Sequence, residues 1–253
     1  MNNLDTLIEN GLVVTENEIG HLNIGIKDGK IAYLGDENLN AEFKINASDL
    51  IVLPGGIDPH VHVDQPSGDD VIMADNFQSA TKSAAAGGNT TILPFAMQIK
   101  GQSLRKCVED YHKKAQGNMY IDTSFHLIIS DPTPQVLGQE LPALSKDGYT
   151  SFKVFMTYDD LVLNDKELIE VFDVAKQLKT LVMVHAEGYD SIKYLSDKFE
   201  KEGKTAPYYH APTRPQIVER EATHRAISHA QIVDIPLMIC LLYTSDAADD
   251  SRS

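Results

Sequence analysis

After Leu53 the chain reads as near-continuous apolar runs separated by helical stretches. The runs are LIVLPGGI, NTTILPFAM, TSFHLIIS, TSFKVFMTY, TLVMVHAE and IPLMIC. A strand that is apolar at almost every position has both faces buried, and such strands belong to parallel sheets covered by helices. The intervening segments carry helix punctuation. NFQSATKSAAA is opened by Asp75 or Asn76 and stopped by Gly87-Gly88. SLRKCVEDYHKKAQ is capped by Ser103 and stopped by Gly117. NDKELIEVFDVAKQLK is capped by Asn164 and sets Leu168, Phe172 and Ala175 on one face. Most repeats are about 30 residues long, the period of a (β/α) barrel. An open doubly wound sheet ranks second, because the candidate chemistry falls at the ends of several different strands, as a barrel arranges it. Six strands are counted where a closed barrel needs eight; closure at this period would take about 60 to 70 further residues.

The first fifty residues follow a different rule. LIENGLVVTE and HLNIGIKDGKIAYLG alternate apolar with polar, and Asp28-Gly29 sits where a hairpin turn would fall. At the other end, LLYTSDAADDSRS becomes small and acidic with no helical or strand period. The expected organisation is part of a small β-sandwich over 1–52, a partial barrel over 53–240, and a tail over 241–253. That tail reads either as a floppy natural terminus or, the favoured reading, as non-native sequence such as a frameshift, a scar or a translated adaptor. The fold class expected is therefore α/β, a (β/α)8 TIM barrel truncated after about six strands.

Charge narrows the partners. The 253 residues carry 22 Lys+Arg against 37 Asp+Glu, a net charge of −15. So acidic a surface repels phosphate backbones and anionic lipid, so neither nucleic acid nor a membrane is expected. Cys107 and Cys240 have neither metal-type spacing nor a disulfide framework, which fits a reducing cytoplasm. The N-terminus lacks the pattern of a signal peptide. No apolar run approaches the ~18 residues of a membrane span.

The chemistry concentrates at strand ends. In GGIDPHVHVD, His60 and His62 are two residues apart, so on a strand they point the same way. Two neutral imidazoles converging on a barrel mouth suit a divalent transition metal. They read equally as satisfied polar residues at a strand end. Gly55-Gly56, Pro59 and Asp64 favour a shaped backbone there. His185 ends the fifth run on the same expected rim; a lone histidine in that position is more often structural. Lys153 lies within SFKVFM, where a charged amine costs several kcal/mol unless paired or neutralised. Desolvation favours the free amine, which can take up carbon dioxide as a carbamate able to bridge two metals. The other reading is an ammonium that reaches the mouth or pairs with an acid. Tyr158, five residues on, is either a hydrogen-bond donor to an oxyanion or a rim aromatic. His126 reads as a hydrogen-bonded residue lining the interior. His112, His224 and His229 read as solvated or packed on helices.

Five segments in order, LPGGIDPHVHVDQPSG, ADNFQSATKSAAAGGNTT, DGYTSFKVFMTY, VMVHAEGYD and RPQIVEREATHRAI, resemble the dihydropyrimidinase and D-hydantoinase family of cyclic amidohydrolases. The resemblance runs to about Cys240. It implies two divalent metal ions, usually zinc, at the mouth of the barrel. His60 and His62 would hold one, His185 the second, and Lys153, N6-carboxylated, both. Tyr158 would be the oxyanion donor. A metal-bridging hydroxide would open a cyclic imide or ureide to an N-carbamoyl amino acid. The family also implies a homotetramer. Two features depart from its pattern. Gly188 stands where VHAEN has its asparagine, and Cys240 is followed by Leu241 rather than a ligand histidine. The seventh and eighth strands are absent, with the eighth-strand aspartate, so the polypeptide as written is expected to fold poorly and lack turnover. Allantoinase and dihydroorotase are relatives of the same chemistry, and some relatives of the fold are scaffold proteins without the ligands. The five-residue spacing of Lys153 and Tyr158 resembles the dihydropyrimidine and hydantoin branch.

Overall fold

The structure, a computed structural model, describes residues 3–67 and 71–242. Two compact units part between Gly56 and Ile57. In the first, β1 (Leu4–Val14) pairs antiparallel with β2 (Ile19–Lys27), which pairs antiparallel with β3 (Lys30–Gly35). The turn between β2 and β3 is Asp28-Gly29, with φ of 51° and 70°, the left-handed pair that a two-residue hairpin requires. On its other side β1 pairs parallel with β4 (Ala41–Asn46) and β5 (Ile51–Val52). The result is one five-stranded sheet, a single layer of the expected sandwich. Ile31, Phe43 and Ile45 stay 70%, 64% and 52% exposed on it.

The second unit contains the main parallel sheet. Its strands are β6 (Gly56–Val61), β7 (Asn89–Met97), β9 (His126–Ile128), β10 (Ser151–Phe155), β11 (Leu181–His185) and β12 (Leu237–Ile239). A short β8 (Asp122–Thr123) pairs off β7. Spatial order follows chain order without reversal. That is the winding of a barrel; a doubly wound sheet reverses at its switch point. Six strands make a curled part-barrel, as counted from the apolar runs.

Strand alternation sorts the apolar residues into two layers. Leu127, Phe152, Val154, Val182 and Val184 point outward. They pack on α2 (Leu104–Ala115), α4 (Asp165–Leu178) and α6 (Gln216–Val233) through Leu104, Val108, Leu168, Phe172, Ala222 and Ala226. Phe152 and Phe172 are fully buried, each worth about 2–3 kcal/mol of transfer. Phe95, Ile128, Phe155, Met183 and Cys240 point inward and form a second cluster. Remaining helices are α1 (Phe77–Ala86), α3 (Leu141–Lys146) and α5 (Tyr189–Lys201). None is long and apolar enough to cross a membrane, among the described residues.

Punctuation held at α1 and α4. Asn76 with Ser79, and Asn164 with Glu167, form reciprocal capping boxes. Two local readings are corrected. LIVLP does not enter the barrel: Ile51–Val52 joins the small sheet, and Pro54, which has no N–H, precedes a break before β6. Ser103 occupies the cap position of α2 but makes no side-chain cap bond. Glu140, from the π-helical turn Val136–Glu140, accepts the Leu104 N–H at 2.6 Å instead. From Tyr243 onward the expected tail lies outside the described residues.

Candidate functional site

Because the strands run parallel, their C-terminal ends share one rim. His60 lies on β6 and His62 follows its last residue, Val61. Their ring centroids are 5.6 Å apart, and both rings pack on Phe95 of β7, at 4.8 and 4.9 Å. Lys153, central in β10, sets its Nζ 5.4 Å from the Phe95 ring centroid and 5.0 Å from that of Phe155. The Phe155 ring stacks on His185 at 5.6 Å, and Tyr158 lies 5.3 Å from His185. All five candidate residues thus meet around two phenylalanines.

The electrostatics follow from that packing. Burial, then the Lys153 charge, push His60 down to about 4. Burial also lowers His62, opposed by its hydrogen bond to Gln65. Both imidazoles are neutral at pH 7, with lone pairs available. Lys153 is 1% exposed, so its ammonium does not reach solvent. No carboxylate pairs with it among the described residues. Burial holds its amine below the ordinary lysine range, with the Cys240 thiol opposing the shift. Tyr158 is raised by burial and by the Glu187 charge. Its φ of 72° is a left-handed conformation disfavoured for a bulky side chain. Strain of that kind gathers at functional sites.

His185 Nε2 donates to Glu187 Oε2 at 2.8 Å, which leaves Nδ1 as its lone-pair nitrogen. Arg214 Nε stands 3.7 Å from the other Glu187 oxygen. His126 spends both nitrogens within the fold, as its strand position led us to expect: Nε2 on the Pro59 carbonyl and Nδ1 on Ser151 Oγ. His112 of α2 bonds Tyr149, and His229 of α6 lies 3.3 Å from Asp165 of α4. Among the described residues, no three His, Cys, Asp or Glu side chains converge as a metal-binding group by themselves.

Sequence reasoning missed Glu187 and Gln65. Glu187 was findable, since it sits two residues past His185, the spacing of a shared face. Gln65, three residues past His62, carried no such signal.

The model of the amidohydrolase family matches residues 51–224. This chain belongs to the amidohydrolase family. A D-hydantoinase of Rhizobium radiobacter is 45% identical over 98% of this chain and 54% of its own length. A dihydropyrimidinase of Dictyostelium discoideum is 34% identical over 96% of this chain and 49% of its own. A solved D-hydantoinase structure superposes with a TM-score of 0.90 at 46% identity, covering 93% of this chain and 51% of that one. The chain spans about half the length of the curated relatives it matches.

Amidohydrolase membership implies the use of divalent metal. The donors present fit such an ion chemically. His60 and His62 are neutral imidazoles packed on Phe95 close to Lys153, and no carboxylate hydrogen-bonds to either ring among the described residues. His185 has its second nitrogen fixed by a carboxylate, as metal-ligating histidines usually do.

Proposed function

We propose that this chain carries the larger part of a metal-dependent site that opens a cyclic amide ring. The substrate class is dihydropyrimidines or hydantoins, and the product an N-carbamoyl amino acid. The observation that carries this reading is Lys153, buried and, among the described residues, without a carboxylate partner. A permanent ammonium there would cost several kcal/mol. The ammonium first gives up one proton; the free amine then bonds the carbon of carbon dioxide and loses a second proton, so a buried cation becomes a two-oxygen anion.

His60 and His62 would hold one divalent ion, zinc, His185 a second, and carboxylated Lys153 both. When bound, the ions supply a water of lowered pKa and polarise the ring carbonyl. The chain's own residues do the rest. Phe95 and Phe155 hold Lys153 in a dry, low-dielectric layer beneath the partly exposed histidines. The Tyr158 hydroxyl, presented from a strained turn, donates to the developing oxyanion. Leu241 offers no ligand where the family's sixth strand supplies one, so the 253-residue polypeptide alone is expected to lack turnover. Retention of His60, His62, Lys153 and His185 argues against a scaffold role. A homotetramer in the cytoplasm is part of the same proposal.

The test compares dihydrouracil and hydantoin with allantoin and dihydroorotate, using the full reading frame that contains this chain, loaded with zinc and bicarbonate. Ring opening of the first pair, abolished by Lys153→Ala, supports the reading. Preferential turnover of allantoin or dihydroorotate moves it to that branch, and no turnover of any of the four rejects it. Sequencing the source gene past the Cys240 codon defines the frame to be expressed.

A further inference from the structure

The Gln65 side chain bridges β7 and the His62 ring. Its Nε2 donates to the Phe95 carbonyl at 3.0 Å, and its Oε1 lies 2.7 Å from His62 Nδ1. A carbonyl only accepts, so the amide end facing Phe95 is the NH2. The amide oxygen is thereby turned to His62. That oxygen also only accepts, so Nδ1 carries the ring proton. A neutral imidazole protonated on Nδ1 has its lone pair on Nε2. We propose that Gln65 is a positioning residue, which fixes the ring plane and tautomer of His62 so that Nε2 stands as the donor to a divalent cation. This rests on the reading of His62 as a ligand.

The loop is built to hold that amide. Val63 is fully buried. Asp64 takes a left-handed φ of 51°, which turns the chain back immediately after the histidines. Its N–H donates to the Asp75 carbonyl at 3.3 Å, and its own carbonyl accepts from Lys114 Nζ at 2.6 Å. The Gln65 N–H points to Met73 Sδ at 3.1 Å. Backbone and side chain are therefore both restrained, and both ends of the amide are engaged by groups at the site.

Long-range 1H–15N spectra of the imidazole rings read the tautomer on metal-free, full-chain protein. The expected result is His62 protonated on Nδ1. In Gln65→Leu it reverts to the Nε2–H form that free imidazoles favour, and Zn2+ affinity falls about 10- to 100-fold, the usual effect of losing an outer partner. Gln65→Glu, which keeps an acceptor toward Nδ1, retains the Nδ1–H form. An Nε2–H signal in the unsubstituted protein overturns the proposal even if no variant folds. So does a Gln65→Leu spectrum that matches it. The tautomer is read without substrate, so a protein with Nδ1–H on His62 and no ring-opening activity would sink the hydrolase reading separately.

Discussion

His126 Nε2 donates to the Pro59 carbonyl at 2.8 Å, tying β9 to β6 across the strand between them. Its Nδ1 meets Ser151 Oγ at 2.5 Å, so one imidazole joins three strands of the curled sheet beside His60. Replacing it with leucine leaves a carbonyl and a hydroxyl without partners in the interior. Each such group costs about 1–3 kcal/mol, so His126→Leu is expected to lower stability by about 2–4 kcal/mol in urea unfolding. A loss under about 0.5 kcal/mol would show that these bonds add little net stability.

Glu140 is 3% exposed, yet the structure uses it as the cap of a helix that begins 36 residues earlier in the chain. Its second oxygen accepts from Gln135 Nε2 at 2.9 Å. Glu140→Ala frees the first N–H of α2 and is expected to cost about 1–2 kcal/mol. Ser103→Ala, by contrast, should be near neutral, because the hydroxyl makes no cap bond. Urea midpoints of the two variants separate local from long-range capping; a larger loss in Ser103→Ala would reverse the assignment.

The contrast between α2 and α4 shows what could be read in the chain. At α4, cap and helix are neighbours in sequence, so Asn164 and Glu167 were legible as they stand. At α2 the cap arrives through tertiary structure, and local signals misled. The same divide runs through the site. His60, His62, Lys153 and His185 announced themselves because a polar residue within or beside an apolar strand is costly and visible. Gln65 and Phe95 did not, since an amide in a loop and a phenylalanine in a strand are each locally ordinary. Their contacts with the histidines arise only where β7 packs beside the chain that carries His60 and His62. The first barrel strand was misplaced by a few residues for a related reason: IV of LIVLP is apolar enough for either sheet, and pairing with β1 decides it.

Tyr158 presents its ring to His185 from a backbone held at φ 72°. Tyr158→Phe keeps the ring packing and the turn but removes the hydroxyl. Under the proposed function this should lower kcat by about 100- to 1000-fold, the usual effect of deleting one oxyanion donor, with KM and thermal stability little changed. An equal loss in KM would indicate that the hydroxyl binds the ring in the ground state instead.

Cys107 gives a pH dependence independent of any metal. It lies on the buried face of α2, 3% exposed, and burial, then the Asp110 charge, push its thiol from 9.0 up to about 12. Tyr111, one turn on, is raised by burial as well. The unfolded chain ionises these groups near their ordinary values, while the folded chain keeps their protons. Above about pH 9 the unfolded state is therefore favoured by proton release. The stability is intact below that pH and is lost as the pH climbs toward about 12. Cys107→Ala removes the thiol's share, so the gap in urea midpoint between variant and parent should narrow between about pH 7.5 and about pH 10.5. The shift from 9.0 to about 12 is three units, or about a thousand-fold less thiolate at pH 8. Native Cys107 should accordingly resist iodoacetamide until the protein is unfolded, as mass mapping of the labelled peptide would show. Rapid labelling of folded protein would mean that α2 opens locally, and the alkaline prediction would fall with it.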